Sequence, residues 1–177
     1  MGPDTRRLIL LRHAEAESFS LDDRQRRLTS RGVAGAEDVG RWLRQQNLLP
    51  DLALVSPAVR TQTTWELIAG GFQPSLGVVF DDRLLNGDLQ CSLDALHEIT
   101  GTADSILYVG HNPVVTQLAN LLIVQNDSAE ISEVVCGMPP AGVVVAEVTD
   151  WDQFCHVASG VGSSGTATAV YVGGFAG

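Results

Sequence analysis

Three places in this chain put a cationic or ionisable side chain directly after a short apolar run. Arg7-Leu-Ile-Leu-Leu11 leads into Arg12-His13-Ala14. Leu52-Ala-Leu-Val-Ser56 leads into Pro57, with Arg60 one helical turn further on. Ser105-Ile-Leu-Tyr-Val-Gly110 leads into His111-Asn112-Pro113. Runs of this length and composition read as buried strands. In an open α/β sheet, ligands bind outside the carboxyl ends of the strands. The three runs would therefore deliver two histidines and two arginines to one edge. Arginine offers a planar fork of donors that fits phosphate oxygens. Helices starting after Ser56 and after Asn112 would add backbone N–H groups and positive dipole ends. Together these groups suit a tetrahedral oxyanion. A single histidine after a single strand would be an ordinary structural residue, so the weight lies on the convergence.

The elements that must hold these groups in place follow from periodicity. Thr29 to Gln46 reads as a helix with Thr29 as N-cap and Val33, Ala36, Val39, Gly40 and Leu43 at helical spacing. Pro57 fits the first turn of a helix reaching about Ala69. Val78 to Phe80 is a short strand, Leu93 to Ile99 a helix, Pro113 to Leu122 a helix, and Ala141 to Thr149 a strand. Strands alternating with helices every 20–30 residues imply an α/β fold. The expected architecture is a three-layer α/β/α sandwich with a mostly parallel central sheet. The 177 residues make one catalytic domain. From about residue 159 the chain turns rich in Gly, Ser, Thr and Ala, which reads as a flexible tail or as a last strand around Ala169 to Val172.

Charge supports the same location for the site. The net charge is −10, which disfavours nucleic acid and anionic membrane as partners. There is no lysine, and ten of the eleven arginines lie at or before Arg60. An acidic chain with its cations gathered in one third of its length is built to hold an anion there. No apolar run near the N-terminus reaches the length of a signal or a membrane span. Cys91, Cys136 and Cys155 are odd in number and show no CxxC spacing, as expected for reduced thiols in a cytoplasmic protein.

The segments Leu11-Arg12-His13-Ala14, Ser56-Pro57-Ala58-Val59-Arg60-Thr61-Gln62-Thr63 and Val109-Gly110-His111-Asn112-Pro113 resemble the signature of the histidine phosphatase, or phosphoglycerate-mutase-like, superfamily. The short length and Arg26-Arg27-Leu28-Thr29-Ser30-Arg31-Gly32 look most like its SixA-type phosphohistidine phosphatases, which carry an Arg-x-Leu-Thr-x-x-Gly segment. The resemblance covers about Arg7 to Leu122. It implies His13 as a transiently phosphorylated nucleophile, with Arg12 and Arg60 holding the phosphoryl oxygens. His111 would donate to those oxygens or to the leaving group. Arg26, rather than its neighbour Arg27, would be a further phosphate contact. No metal or other cofactor is implied, and the expected partner is a protein carrying phosphohistidine in a signalling or phosphotransfer role.

Two departures bear on this. Many members have Gly where this chain has Ala14, a tolerable change unless the position needs positive φ. Members acting on esters use a mid-chain glutamate as general acid. The matching stretch Asp81-Asp-Arg-Leu-Leu-Asn-Gly-Asp88 has none, leaving Asp88, Asp81 and Asp82 as stand-ins whose default role is capping or solvation. An imidazole leaving group needs less proton help than an alkoxide, and only 51 residues separate Arg60 from His111, leaving little chain for a lid. Both favour phosphohistidine over the first alternative, a small-molecule phosphomonoesterase of the same superfamily, while the intact set Arg12, His13, Arg60 and His111 argues against the second, a non-catalytic phosphate- or phosphoprotein-binding module. His97 reads as a surface residue, His156 beside Cys155 lacks the second pair a zinc site needs, and Trp42, Trp65 and Trp151 read as packing aromatics.

Overall fold

The computed structural model describes residues 6–72, 76–122 and 137–156, and the backbone of 165–171. The strands are β1 (Arg6–Arg12), β2 (Leu52–Val55), β3 (Gly77–Phe80), β4 (Ser105–Gly110), β5 (Val143–Val148) and β6 (Gly165–Tyr171). The helices are α1 (Ser30–Gln45), α2 (Val59–Ala69), α3 (Arg83–Asn86), α4 (Leu89–Thr100), α5 (Val114–Leu122) and α6 (Trp151–Cys155). The sheet order is β3-β2-β4-β1-β5-β6. Pairing is parallel from β3 through β1 and antiparallel on both sides of β5, so β5 alone runs against the rest.

The two faces of the sheet bury different side chains, as period-two alternation requires. Ile9 and Leu11 of β1, with Ala53, Val55, Leu107 and Val109, pack under α1 and α2. Leu8 and Leu10, with Leu54, Ile106 and Tyr108, pack under α4, α5 and α6. β1 and β4 are buried on both faces, which is why they read as continuous apolar runs. The architecture is the expected α/β/α sandwich.

Several boundaries shift for identifiable reasons. α2 begins at Val59 rather than Pro57, because Ala58 takes the extended N-cap conformation. α4 begins at Leu89, four residues early, because the Asp88 carboxylate caps it by accepting the Cys91 N–H. β5 is shorter than Ala141 to Thr149, since Pro139 to Gly142 forms a turn closed by Gly142 N–H to the Pro139 carbonyl. The last strand starts at Gly165, earlier than expected. Val172, the rest of the tail and Cys136 lie outside the described residues.

The Arg-x-Leu-Thr-x-x-Gly segment has a structural role. Thr29 caps α1 by accepting the Gly32 N–H, and its own N–H and hydroxyl bind Glu15, the N–H to the carbonyl and the hydroxyl to the carboxylate. A Cβ at Gly32 would lie 2.0 Å from the Glu15 carbonyl oxygen. Glycine is required there so that α1 can seat against the loop leaving β1.

Candidate active site

β1 ends in the middle of the sheet, and the backbone of His13 is fixed from two sides. Its N–H donates to Gly110 of β4, and its carbonyl accepts from Ala141. The His13 side chain is 7 % exposed. The geometry pairs its Nδ1 with the Ala14 carbonyl at 2.8 Å. A carbonyl can only accept, so Nδ1 carries the proton and the lone pair sits on Nε2. The Ala14 N–H donates to Thr64 Oγ1, and that hydroxyl donates to the Arg60 carbonyl. One buried chain of hydrogen bonds therefore fixes α2, and with it Arg60, against the His13 loop. Ala14 does not have positive φ, unlike Asn47 and Ala141 among the described non-glycine residues, so its methyl group is no obstacle.

Arg60 is 5 % exposed although it sits in the first turn of α2. Arg12 donates through Nη1 to the Met138 carbonyl at 2.8 Å, which the Asn112 amide also reaches at 3.0 Å. His111 stands against His13 with ring centroids 5.2 Å apart, and its Nε2 meets the buried Ser56 hydroxyl at 2.8 Å. Arg12 Nε, Arg60 Nε and His111 Nδ1 are buried nitrogens without a protein partner among the described residues. An unpaired buried donor is costly, and an oxyanion is a ligand class that would relieve the two guanidinium nitrogens.

Burial, reinforced by the Arg60, Arg12 and Arg26 charges, lowers the His13 pKa to about 4 against the opposing pull of the Ala14 carbonyl. Burial first, then Arg60 and His13, lowers His111 to about 3. Both imidazoles are neutral near pH 7. Burial also lowers the two guanidinium values, Arg12 and Arg60, but arginine remains a cation in proteins.

Arg12, His13, Arg60 and His111 thus come together. Arg26 lies beside them, half-buried, with Nε 2.9 Å from Asp23 Oδ1, while Arg27 is exposed. Asp23 itself was not foreseen. Its carbonyl accepts from Arg60 Nη1 at 2.7 Å and its Oδ2 from Nη2 at 3.0 Å. The available signal was an aspartate three residues before Arg26, but aspartates in loops ordinarily cap, as neighbouring Asp22 does here for Arg24.

The candidate acids have other partners. Asp88 caps α4, and the Cys91 N–H holds its carboxyl below the usual range. Arg83 does the same for Asp81. Asp82 is exposed and faces Arg24 at 3.4 Å. His97 and His156 stack edge to face at 5.0 Å near Asp152, on the helical layer formed by α4 and α6.

Comparison with known proteins places these residues in a family. Residues 8–92 match the histidine phosphatase superfamily, branch 1. A phosphohistidine phosphatase SixA homolog from Haemophilus influenzae is 31 % identical over 121 residues, covering 63 % of this chain and 73 % of that one. A candidate SixA structure from Nakamurella multipartitia superposes with TM-score 0.76 at 25 % identity, over 94 % of this chain and 95 % of that one. Another, from Agrobacterium tumefaciens, gives 0.71 at 27 % identity over 81 % and 92 %. With its fold and these relatives in agreement, the chain belongs to the histidine phosphatase superfamily and is a phosphatase.

Proposed function

We propose that this phosphatase acts on phosphohistidine displayed by a protein, through a phosphorylated His13 intermediate and without a metal ion. The observation that carries the reading is the His13 ring: neutral, held by its Nδ1–H on Ala14, and surrounded by Arg12, Arg60 and His111. The Nε2 lone pair attacks phosphorus. The P–N bond of the substrate breaks, and its electron pair goes to the departing imidazole. Arg12 and Arg60 balance the charge on the non-bridging oxygens. Water then attacks the phosphorylated His13, the Nε2 pair returns to the ring, and inorganic phosphate leaves with one proton lost to solvent.

The first transfer needs no acid when the substrate is a phosphoimidazolium. Its ring leaves as neutral imidazole, and His13 becomes a phosphoimidazolium that keeps its Nδ1–H on Ala14. Donor and acceptor are the same chemical group, so the exchange is close to balanced. An alkoxide leaving group would require a proton at once. Asp81 and Asp88 are engaged elsewhere as carboxylates, which supports the phosphoramidate over the ester. The guanidiniums supply the positive charge that a metal would otherwise bring. The partner is a phosphotransfer or signalling protein, and the cytoplasm is the expected compartment. Among the described residues no helix is long and apolar enough to cross a membrane.

The test compares kcat/KM on a phosphohistidine peptide, a sugar phosphate and p-nitrophenyl phosphate, with chelator present. The peptide should be strongly preferred, an acid-labile phosphoenzyme should be trapped, and His13→Ala should form none. Equal efficiency on all three would remove the substrate assignment, and turnover of none would favour a phosphate-binding module.

A further inference from the structure

Asp23 meets the phosphate-site arginines as a phosphoryl group would. One carboxylate spans two guanidiniums, Oδ2 on Arg60 Nη2 at 3.0 Å and Oδ1 beside Arg26 Nε at 2.9 Å. We propose that Asp23 is an internal stand-in for the substrate phosphoryl group: it holds Arg60 and Arg26 in the resting protein and gives way when a dianion arrives. This rests on reading the Arg12, His13, Arg60 and His111 edge as a phosphoryl site.

The contact is asymmetric in mobility. Arg60 is buried in the first turn of α2 and tied to the His13 loop through Thr64. The Asp23 side chain is 69 % exposed and sits on a three-residue 3₁₀ turn, Asp23–Gln25, between the exposed Leu21 and the half-buried Arg26. When the contact opens, Asp23 moves and Arg60 stays. The backbone carbonyl of Asp23 can keep Arg60 Nη1, which aims the guanidinium while the side chain releases Nη2 to a phosphoryl oxygen. A dianion with three oxygens replaces a carboxylate favourably, because it brings a second charge to the same fork. A monoanion of similar strength gains nothing from the exchange. Asp23 would therefore be a specificity-determining residue that keeps the site closed to chloride and simple carboxylates.

A competitor that must withdraw lowers apparent affinity by the fraction of time the site is open. If that fraction is about one tenth, removing the carboxylate should tighten phosphate binding about tenfold. The experiment is calorimetric titration of the full chain with inorganic phosphate, for the wild type, Asp23→Asn and Asp23→Ala, each checked for folding by thermal denaturation. Both variants should bind phosphate about tenfold more tightly, and chloride should compete with phosphate in them more than in the wild type. Unchanged or weaker binding by the folded variants overturns the proposal and makes Asp23 a fixed spacer for the arginines. In the wild type, saturating phosphate should shift the carboxylate ¹³C resonance of Asp23 to that of a solvated aspartate. An unmoved resonance in the phosphate complex overturns the proposal whatever the variants do. Failure of the underlying reading looks different: neither the wild type nor either variant would bind phosphate.

Discussion

Lowering the pH from about 7.5 to about 5 should weaken this fold through His13 and His111 before its carboxylates take part. In the unfolded chain an imidazole titrates at 6.5, whereas in the folded protein His13 does so at about 4 and His111 at about 3. Between those values the unfolded state binds protons that the folded state does not, so stability is full above 6.5 and falls as pH drops toward the folded pKa. At about pH 5 the loss works out to about 2 kcal/mol for each of the two histidines. That is a sizeable part of the stability of an ordinary domain. Asp23 and Asp81, whose pKa values are lowered by their arginine partners, add their losses only below the usual carboxylate range. Urea denaturation followed by circular dichroism, at both pH values, measures the difference. Replacing His13 with Gln removes one buried titrating group, so the pH-dependent loss should shrink by about 2 kcal/mol. If His13→Gln loses as much stability as the wild type between the two pH values, a neutral, desolvated His13 imidazole is the wrong description of this site.

Other substitutions separate structural from chemical roles. Gly32→Ala should cost about 3 kcal/mol, seen as a lowered Tm, because its methyl would lie on the Glu15 carbonyl; an unchanged Tm would mean α1 does not need that approach. Ser56→Ala removes the hydroxyl on His111 Nε2 and should lower kcat on phosphohistidine about tenfold with little change in KM; unchanged kcat would show that His111 is oriented by something else. Asp88→Asn keeps a good helix cap and should leave both stability and kcat as they are. A fall in kcat on p-nitrophenyl phosphate alone would give Asp88 the acid role after all.

Much of the site could be read from the chain because its residues follow directly on strands. An apolar run of strand length fixes where β1, β2 and β4 end, and Arg12, His13, Ser56 and His111 sit at or just past those ends. The helix starts were harder, because Ala58 and Asp88 set them by backbone conformation and capping rather than by apolar spacing. Asp23 was illegible for a different reason. Its partner Arg60 is 37 residues away, and nothing in a local pattern distinguishes a carboxylate that caps its own turn from one that crosses to a buried guanidinium. β6 is weakly signalled because it opens on Gly, Thr and Ala and carries Val170 and Tyr171 only at its end, so its start at Gly165 shows only in its pairing with β5.

The cationic site and the neutral His13 imidazole have a shared origin, and Arg60 is where they can be separated. Its charge contributes to the lowered pKa of His13, and its side chain is itself buried. Arg60→Ala removes both, so the His13 imidazole, followed by NMR titration, should protonate well above about 4 and move toward the ordinary 6.5. Turnover should also fall, by about 10²–10³, as expected for loss of an oxyanion-stabilising donor. Arg60→Lys keeps the charge and most of the bulk but loses the planar fork. It should hold the His13 pKa near the wild-type value while still losing most of the rate. If Lys and Ala shift the imidazole equally, the field at His13 does not come from Arg60, and burial alone would have to account for a neutral imidazole beside three guanidiniums.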